Sequence, residues 1–190
     1  MSQFELYLRL GFDHISDINA YDHILFIVAL CAVYAIKNWK KVLILVTAFT
    51  VGHSITLALA ILDIVKFPER TIEMLIPITI MLTCLYNILY ESREGVEQKW
   101  KYFIAIFFGL IHGMGFSSFL RMILGEEESI IEPLFAFNIG LELGQIGIVI
   151  GALAITFIVV DRVGVEQKKW NIIVSVGTFL IALKLFIDLF

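Results

Sequence analysis

The chain has 190 residues, of which 59% are hydrophobic and 17% charged, and its mean hydropathy is +0.91. Soluble domains run near roughly 45–50% apolar and about 25% charged, so a water-soluble fold of this size could not hide so much apolar surface. The net charge of −4 is spread over short loops, which gives nucleic-acid binding no support, and Cys31 and Cys84 each stand alone in an apolar run, which indicates neither a disulfide framework nor a Cys-rich metal site.

From the N-terminus, Ser2 to Leu10 alternates polar residues with Phe4, Leu6, Leu8 and Leu10. This pattern predicts a short interfacial amphipathic segment within residues 1–13. No small-residue cleavage site follows an apolar stretch, so the first span is expected to insert as its own signal. Uninterrupted apolar runs then follow at Asp22–Ile36, Val42–Val65, Ile72–Tyr90, Tyr102–Leu124, Leu134–Val160 and Trp170–Phe190. They predict an all-α polytopic bundle of about six transmembrane helices, forming one domain over residues 1–190. The first run is short for a crossing, so it is expected to tilt or to begin upstream near Ile15.

Cationic residues set orientation, because loops rich in Lys and Arg are retained in the cytoplasm. The loops after the first, third and fifth runs carry Lys37, Lys40 and Lys41, then Arg93, Lys99 and Lys101, then Arg162, Lys168 and Lys169. The other side holds Arg9, Lys66, Arg70 and Arg121. This asymmetry predicts both termini outside, with the acidic Glu126–Glu128 loop on the same side. Two of the cationic loops repeat a phrase, GVEQKW at Gly95–Trp100 and GVEQKKW at Gly164–Trp170. A recurrent amphipathic loop ending in an interfacial Trp explains this more cheaply than a parallel duplication.

All four histidines lie in or beside the apolar runs. Ionisable groups inside a bilayer are costly and mark function by default. His14, Asp22 and His23 stand at the outer entrance to the first run, with Asp13 close by. His53 falls near the middle of the second run, Glu73 near the outer start of the third, and His112 within the fourth. Asn138, Glu142 and Gln145 share one face of the fifth at i, i+4 and i+7 spacing. One polar cluster between midplane and outer surface can collect these groups. Imidazole and carboxylate donors without thiolates suit a divalent ion such as Ni²⁺, Co²⁺ or Zn²⁺. The candidate metal ligands are therefore His14, Asp22, His23, His53, Glu73, His112, Asn138 and Glu142. Glycines flank His112 at Gly109 and Gly113 and line the fifth run at Gly140, Gly144, Gly147 and Gly151, a spacing that permits close helix approach.

The phrases GFDHISDINAYDHILF (Gly11–Phe26), FTVGHSITLALA (Phe49–Ala60), IEMLIPITI around Glu73, FGLIHGMGF (Phe108–Phe116) and FNIGLELGQ (Phe137–Gln145) together resemble the HupE/UreJ-type membrane proteins. That family is regarded as nickel or cobalt permeases associated with hydrogenase and urease maturation. The broader nickel/cobalt permeases carry a His-x4-Asp-His motif, whereas here seven residues separate His14 from Asp22-His23. The resemblance implies a small permease of a bacterial inner (cytoplasmic) membrane, in which outer-face His14, Asp22 and His23 pass an ion to His53, Glu73, His112 and Glu142. The partners would be the metal ion and the lipid bilayer, with no nucleic acid, and a homo-oligomer stays open. A different class fits the same cluster, an intramembrane zinc-type hydrolase in which a metal-activated water acts beside Ser54 and Ser117. A third reading is a metal that only staples the helices together.

Overall fold

The structure is a computed structural model that describes residues 2–18, 21–90, 97–124 and 129–190. The Glu126–Glu128 loop, Arg93 and the start of the Gly95–Trp100 phrase lie outside the described residues. Every described regular element is helical. The helices are α1 (Gln3–Ser16), α2 (Asp22–Cys31), α3 (Trp39–Ile61), α4 (Glu69–Tyr90), α5 (Glu97–Gly115), α6 (Ser117–Leu124), α7 (Ile131–Thr156) and α8 (Gln167–Ile187). A 3₁₀ turn at Ile36–Asn38 leads into α3, and a π turn at Phe157–Arg162 extends α7.

Each of the six apolar runs holds a helix, yet the count of clear crossings is lower than expected. Among the described residues, four helical stretches are long and apolar enough to span a bilayer: Ile36–Ile61, Glu69–Tyr90, Ile131–Arg162 and Gln167–Ile187. A fifth is the pair Lys99–Gly115 and Ser117–Leu124, bent by 54° at Phe116. The first run gives a helix of only 10 residues, about 15 Å long and so half the ~30 Å hydrocarbon core. The protein is an integral membrane protein whose first run does not cross as one helix.

The segment expected at the interface is α1. Ser2 caps it, its Oγ accepting from the Glu5 amide (3.2 Å) while the Glu5 carboxylate accepts from the Ser2 amide (2.9 Å). Its face at Tyr7, Gly11 and Ile15 is buried against α7. Glycine makes that approach possible. A Cβ at Gly11 would strike the Phe137 carbonyl, and one at Gly140 the Leu8 carbonyl. The α3–α5 contact is built alike: a Cβ at Gly52 would strike the Ile106 carbonyl, and one at Gly109 the Phe49 carbonyl. Further along, Gly144 lies against Ile15 and Gly113 against His53 and Thr56, so later residues of each helix meet later residues of its partner: α1 runs parallel to α7 and α3 parallel to α5.

Polar bonds fix the remaining directions. Asn87 of α4 donates to the Ala29 carbonyl of α2 (2.7 Å), and Asn171 of α8 donates to the Asn87 carbonyl (3.0 Å). At the other end Arg70 of α4 donates to the Leu189 carbonyl (3.2 Å). Hence α8 runs antiparallel to α4. The face where α1 and α7 begin and α3 ends is termed upper. There Arg121 of α6 donates to Asp63 (2.5 Å) and to the Ala60 carbonyl. Asp63 lies in a loop at φ 62°, a left-handed conformation that Asp tolerates better than most residues. A hydrogen bond from Lys66 holds its carboxyl below the ordinary carboxylate range; desolvation opposes this, and the nearby charges of Lys66 and Arg121 reinforce it.

Candidate metal site

The helix directions bring all four histidines to one level in the middle of the bundle. His14 closes the lower end of α1, Asp22 and His23 open α2, His53 comes from α3 and His112 from α5. Ring centroids are 4.8 Å apart for His14–His23, 5.8 Å for His23–His53, 6.0 Å for His14–His53 and 5.2 Å for His23–His112. Two overlapping triads result, His14–His23–His53 and Asp22–His23–His112, each with donor atoms within 4.8 Å of one another. His53 and His112 are 0% exposed and His23 is 4% exposed. Phe26, Phe49, Phe116 and Phe137 wall the cluster with aromatic rings.

Hydrogen bonds determine which nitrogens are free. Asp22 Oδ1 accepts from His23 Nδ1 at 3.0 Å and from the His23 amide at 2.8 Å. This bond places the ring proton of neutral His23 on Nδ1 and leaves a lone pair on Nε2. Thr79 of α4 spends its one hydroxyl proton on the Ile76 carbonyl (2.7 Å), so its oxygen accepts from His112 Nε2 at 2.9 Å. His112 therefore points a lone pair out of Nδ1. Among the described residues, His14 Nε2, His23 Nε2, both nitrogens of His53 and His112 Nδ1 are buried without a hydrogen-bond partner. Buried polar atoms are normally satisfied, and leaving one bare costs about 1–3 kcal/mol. A divalent ion would satisfy several at once. Carboxylate and hydroxyl partners that fix an imidazole tautomer are the usual support of a histidine–metal site.

The other expected ligands stand elsewhere. Glu142 accepts a hydrogen bond from Thr47 (2.8 Å), Gln145 accepts from Thr50 (2.6 Å) and Asn138 accepts from Ser54. These three pairs seam α7 to α3, as their shared face required, and none belongs to the two triads. Glu73 is exposed and opens with Asp22, Pro77 and Leu189 onto a crevice of about 210 Å³. Asp13 is exposed beside His14. Ser117, expected beside a reacting water, donates to the Met114 carbonyl (2.7 Å), as helix hydroxyls often do. Thr79 was not expected at all. A lone hydroxyl in an apolar run has no pattern that separates it from helix-packing threonines.

Residues 1–188 match the family described as HupE / UreJ protein. The chain belongs to the HupE/UreJ family. The match takes in every histidine of the cluster, and this family is linked to nickel and cobalt handling. No curated protein and no solved structure matches this HupE/UreJ chain.

Proposed function

We propose that this HupE/UreJ protein is a permease for a divalent transition-metal ion of the nickel or cobalt type. The observation that carries the reading is the convergence of unpartnered imidazole nitrogens from four helices at mid-depth. Nitrogen donors suit Ni²⁺ and Co²⁺, and a site at the bilayer midplane is where secondary transporters hold cargo. The ion is held by His14, His23, His53 and His112, with Asp22 orienting His23 and supplying negative charge. In this reading the cationic lower face is cytoplasmic, so the N-terminal face opens outward from an inner membrane.

The test pairs binding with flux. Purified protein is titrated with Ni²⁺ and Co²⁺, and the same preparation is assayed for uptake into proteoliposomes. His53→Ala and His112→Ala are each expected to lose most bound metal and most uptake while the helical content stays unchanged. Cys31→Ala is expected to match wild type in both. Wild-type protein that binds the ions yet moves none across the bilayer would refute the permease reading.

A further inference from the structure

The two glycine contacts share more than their style. In α1 the phrase is Gly11-x-x-His14, and in α5 it is Gly109-x-x-His112. In α3 it is Phe49-x-x-Gly52, and in α7 it is Phe137-x-x-Gly140. The register is the same in both pairs. Gly11 meets Phe137 and Leu141 while Gly140 meets Leu8 and Phe12; Gly109 meets Phe49 and His53 while Gly52 meets Ile106 and Leu110. The helix after each histidine also ends at matching points: α1 stops at Ser16, two residues past His14, and α5 stops at Gly115, three past His112. A short helix then follows each, α2 with 10 residues and α6 with 8. A long pair completes each half, α3–α4 and α7–α8.

Direction separates the halves. The α1–α7 pair descends from the upper face and the α3–α5 pair ascends from the lower one. Continuity also joins α1 to α2. α1 lies along Phe137–Gly144 in the upper part of α7, whereas Val28, Cys31 and Ala32 of α2 lie beside Ala152, Ile155 and Thr156 in its lower part. Together α1 and α2 have 14 and 10 residues, about 36 Å of helix, enough to cross the ~30 Å core as one broken span.

We propose that the chain is an inverted repeat, α1–α4 against α5–α8, in which His14 and His112 are equivalent ligands and two cavities on opposite sides serve the site alternately. The proposal rests on the permease reading. The upper vestibule, about 450 Å³, lies between α1 and Phe116 and Phe119, and Asp13 and Asp17 line it beside His14. Its counterpart under the repeat lies between α5 and α2 on the lower side. A cavity of about 260 Å³ lies on that side, between α5 and α2 but further from the histidines, lined by Phe26, Leu30, Thr83, Asn87, Lys101 and Phe108 among others. Between it and the histidines stand Phe26, Phe49 and Phe108: Phe26 lies 4.7 Å from Phe49 and 6.1 Å from Phe108, and 5.3 Å from His112. On the upper side Phe116 covers His14 in the same way, their ring centroids 3.8 Å apart, so each histidine of the pair lies behind an aromatic ring. Each aromatic cover must part for its own cavity to reach the site, and parting one while the other stays closed is the exchange that inverted repeats serve.

The experiment uses the full chain with Cys31→Ala and Cys84→Ala, in proteoliposomes of known orientation. Single cysteines are placed in each vestibule, Ile18→Cys above and Thr83→Cys below, and a charged, impermeant methanethiosulfonate is added from either side. Ile18→Cys is expected to react from the upper side only and Thr83→Cys from the lower side only. In a second variant, Leu30→Cys and Ile104→Cys, which line the lower cavity away from the histidines, are joined by a short bifunctional thiol reagent. Joining them is expected to abolish Ni²⁺ flux while Ni²⁺ binding and upper-side labelling of Ile18→Cys persist. Labelling of Thr83→Cys from the upper side, its silence from both sides, or undiminished flux after joining would each overturn the proposal. Absent flux in the protein before joining overturns the permease reading instead, and the two-sided labelling then decides the repeat alone.

Discussion

Replacing Thr79 by Val removes the one acceptor that fixes the ring of His112. Val has nearly the same volume, so packing against Ile76 and the cluster is kept while the 2.9 Å contact to His112 Nε2 is lost. The Nε2–H then faces an apolar environment with no partner, at a cost of about 1–3 kcal/mol, and the proton can move to Nδ1, where it would block the lone pair proposed to serve the metal. Loss of such a supporting partner typically lowers metal affinity by about 10–100-fold, or about 1.4–2.7 kcal/mol at 1.36 kcal/mol per factor of ten. Isothermal titration with Ni²⁺ reads the affinity, and the visible spectrum of bound Co²⁺ reads the ligand field. Thr79→Ser keeps the oxygen and is expected to stay within about threefold of wild type. Equal affinity in Thr79→Val and wild type, or equal loss in Thr79→Ser and Thr79→Val, would show that the hydroxyl does not set the tautomer.

Further outcomes follow from the same geometry. Gly140→Ala drives a methyl into the Leu8 carbonyl, and because backbone cannot swing aside it is expected to destabilise the bundle by about 1–3 kcal/mol; Gly147→Ala, which meets nothing within 4 Å, is the control, and a thermal melt in detergent compares the two. Glu142→Gln keeps an oxygen that can accept from Thr47, so Ni²⁺ stoichiometry and affinity are expected to stay unchanged in titration, and a clear loss would bring Glu142 into the site. A cysteine at Lys40 is expected to label only from the cytoplasmic side of intact cells and one at Lys66 only from outside, since the cationic loops gather on the lower face; the reverse pattern inverts the orientation.

The four histidines were legible because an imidazole in an apolar run has few bland explanations, and their depths followed from counting residues. Which carboxylates joined them was not legible. The spacing of Asn138, Glu142 and Gln145 gives a shared face but not the neighbour that face meets, and here it meets Thr47, Thr50 and Ser54 of α3. The first apolar run was rightly suspect for its length, yet the tie between α1 and α2 rests on contacts with α7 that no local pattern encodes. The helical nature of Gln3–Ser16 did have a signal, the Ser2-x-x-Glu5 capping box. The alternation of Phe4, Leu6, Leu8 and Leu10 obscured it, while the buried stripe runs through Tyr7, Gly11 and Ile15. The bend at Phe116 follows Gly113 and Gly115, and glycine-rich helix ends mark such breaks without fixing where they fall.

Asp22 is the single carboxylate within the two histidine triads. An ion of charge +2 resting among neutral imidazoles and one carboxylate leaves the cage with an excess of about one positive charge in a medium of low dielectric constant. Such a cage is a poor place to store an ion. On the permease reading, it would recognise the cargo by coordination chemistry and keep it electrostatically uneasy, so the depth of the energy well would be limited from within. The transmembrane voltage acts on whatever charge is not neutralised, at about 2.3 kcal/mol per elementary charge for each 100 mV crossed. On that reading, adding a second carboxylate beside His53 would deepen the well and turn the proposed conduit into a trap.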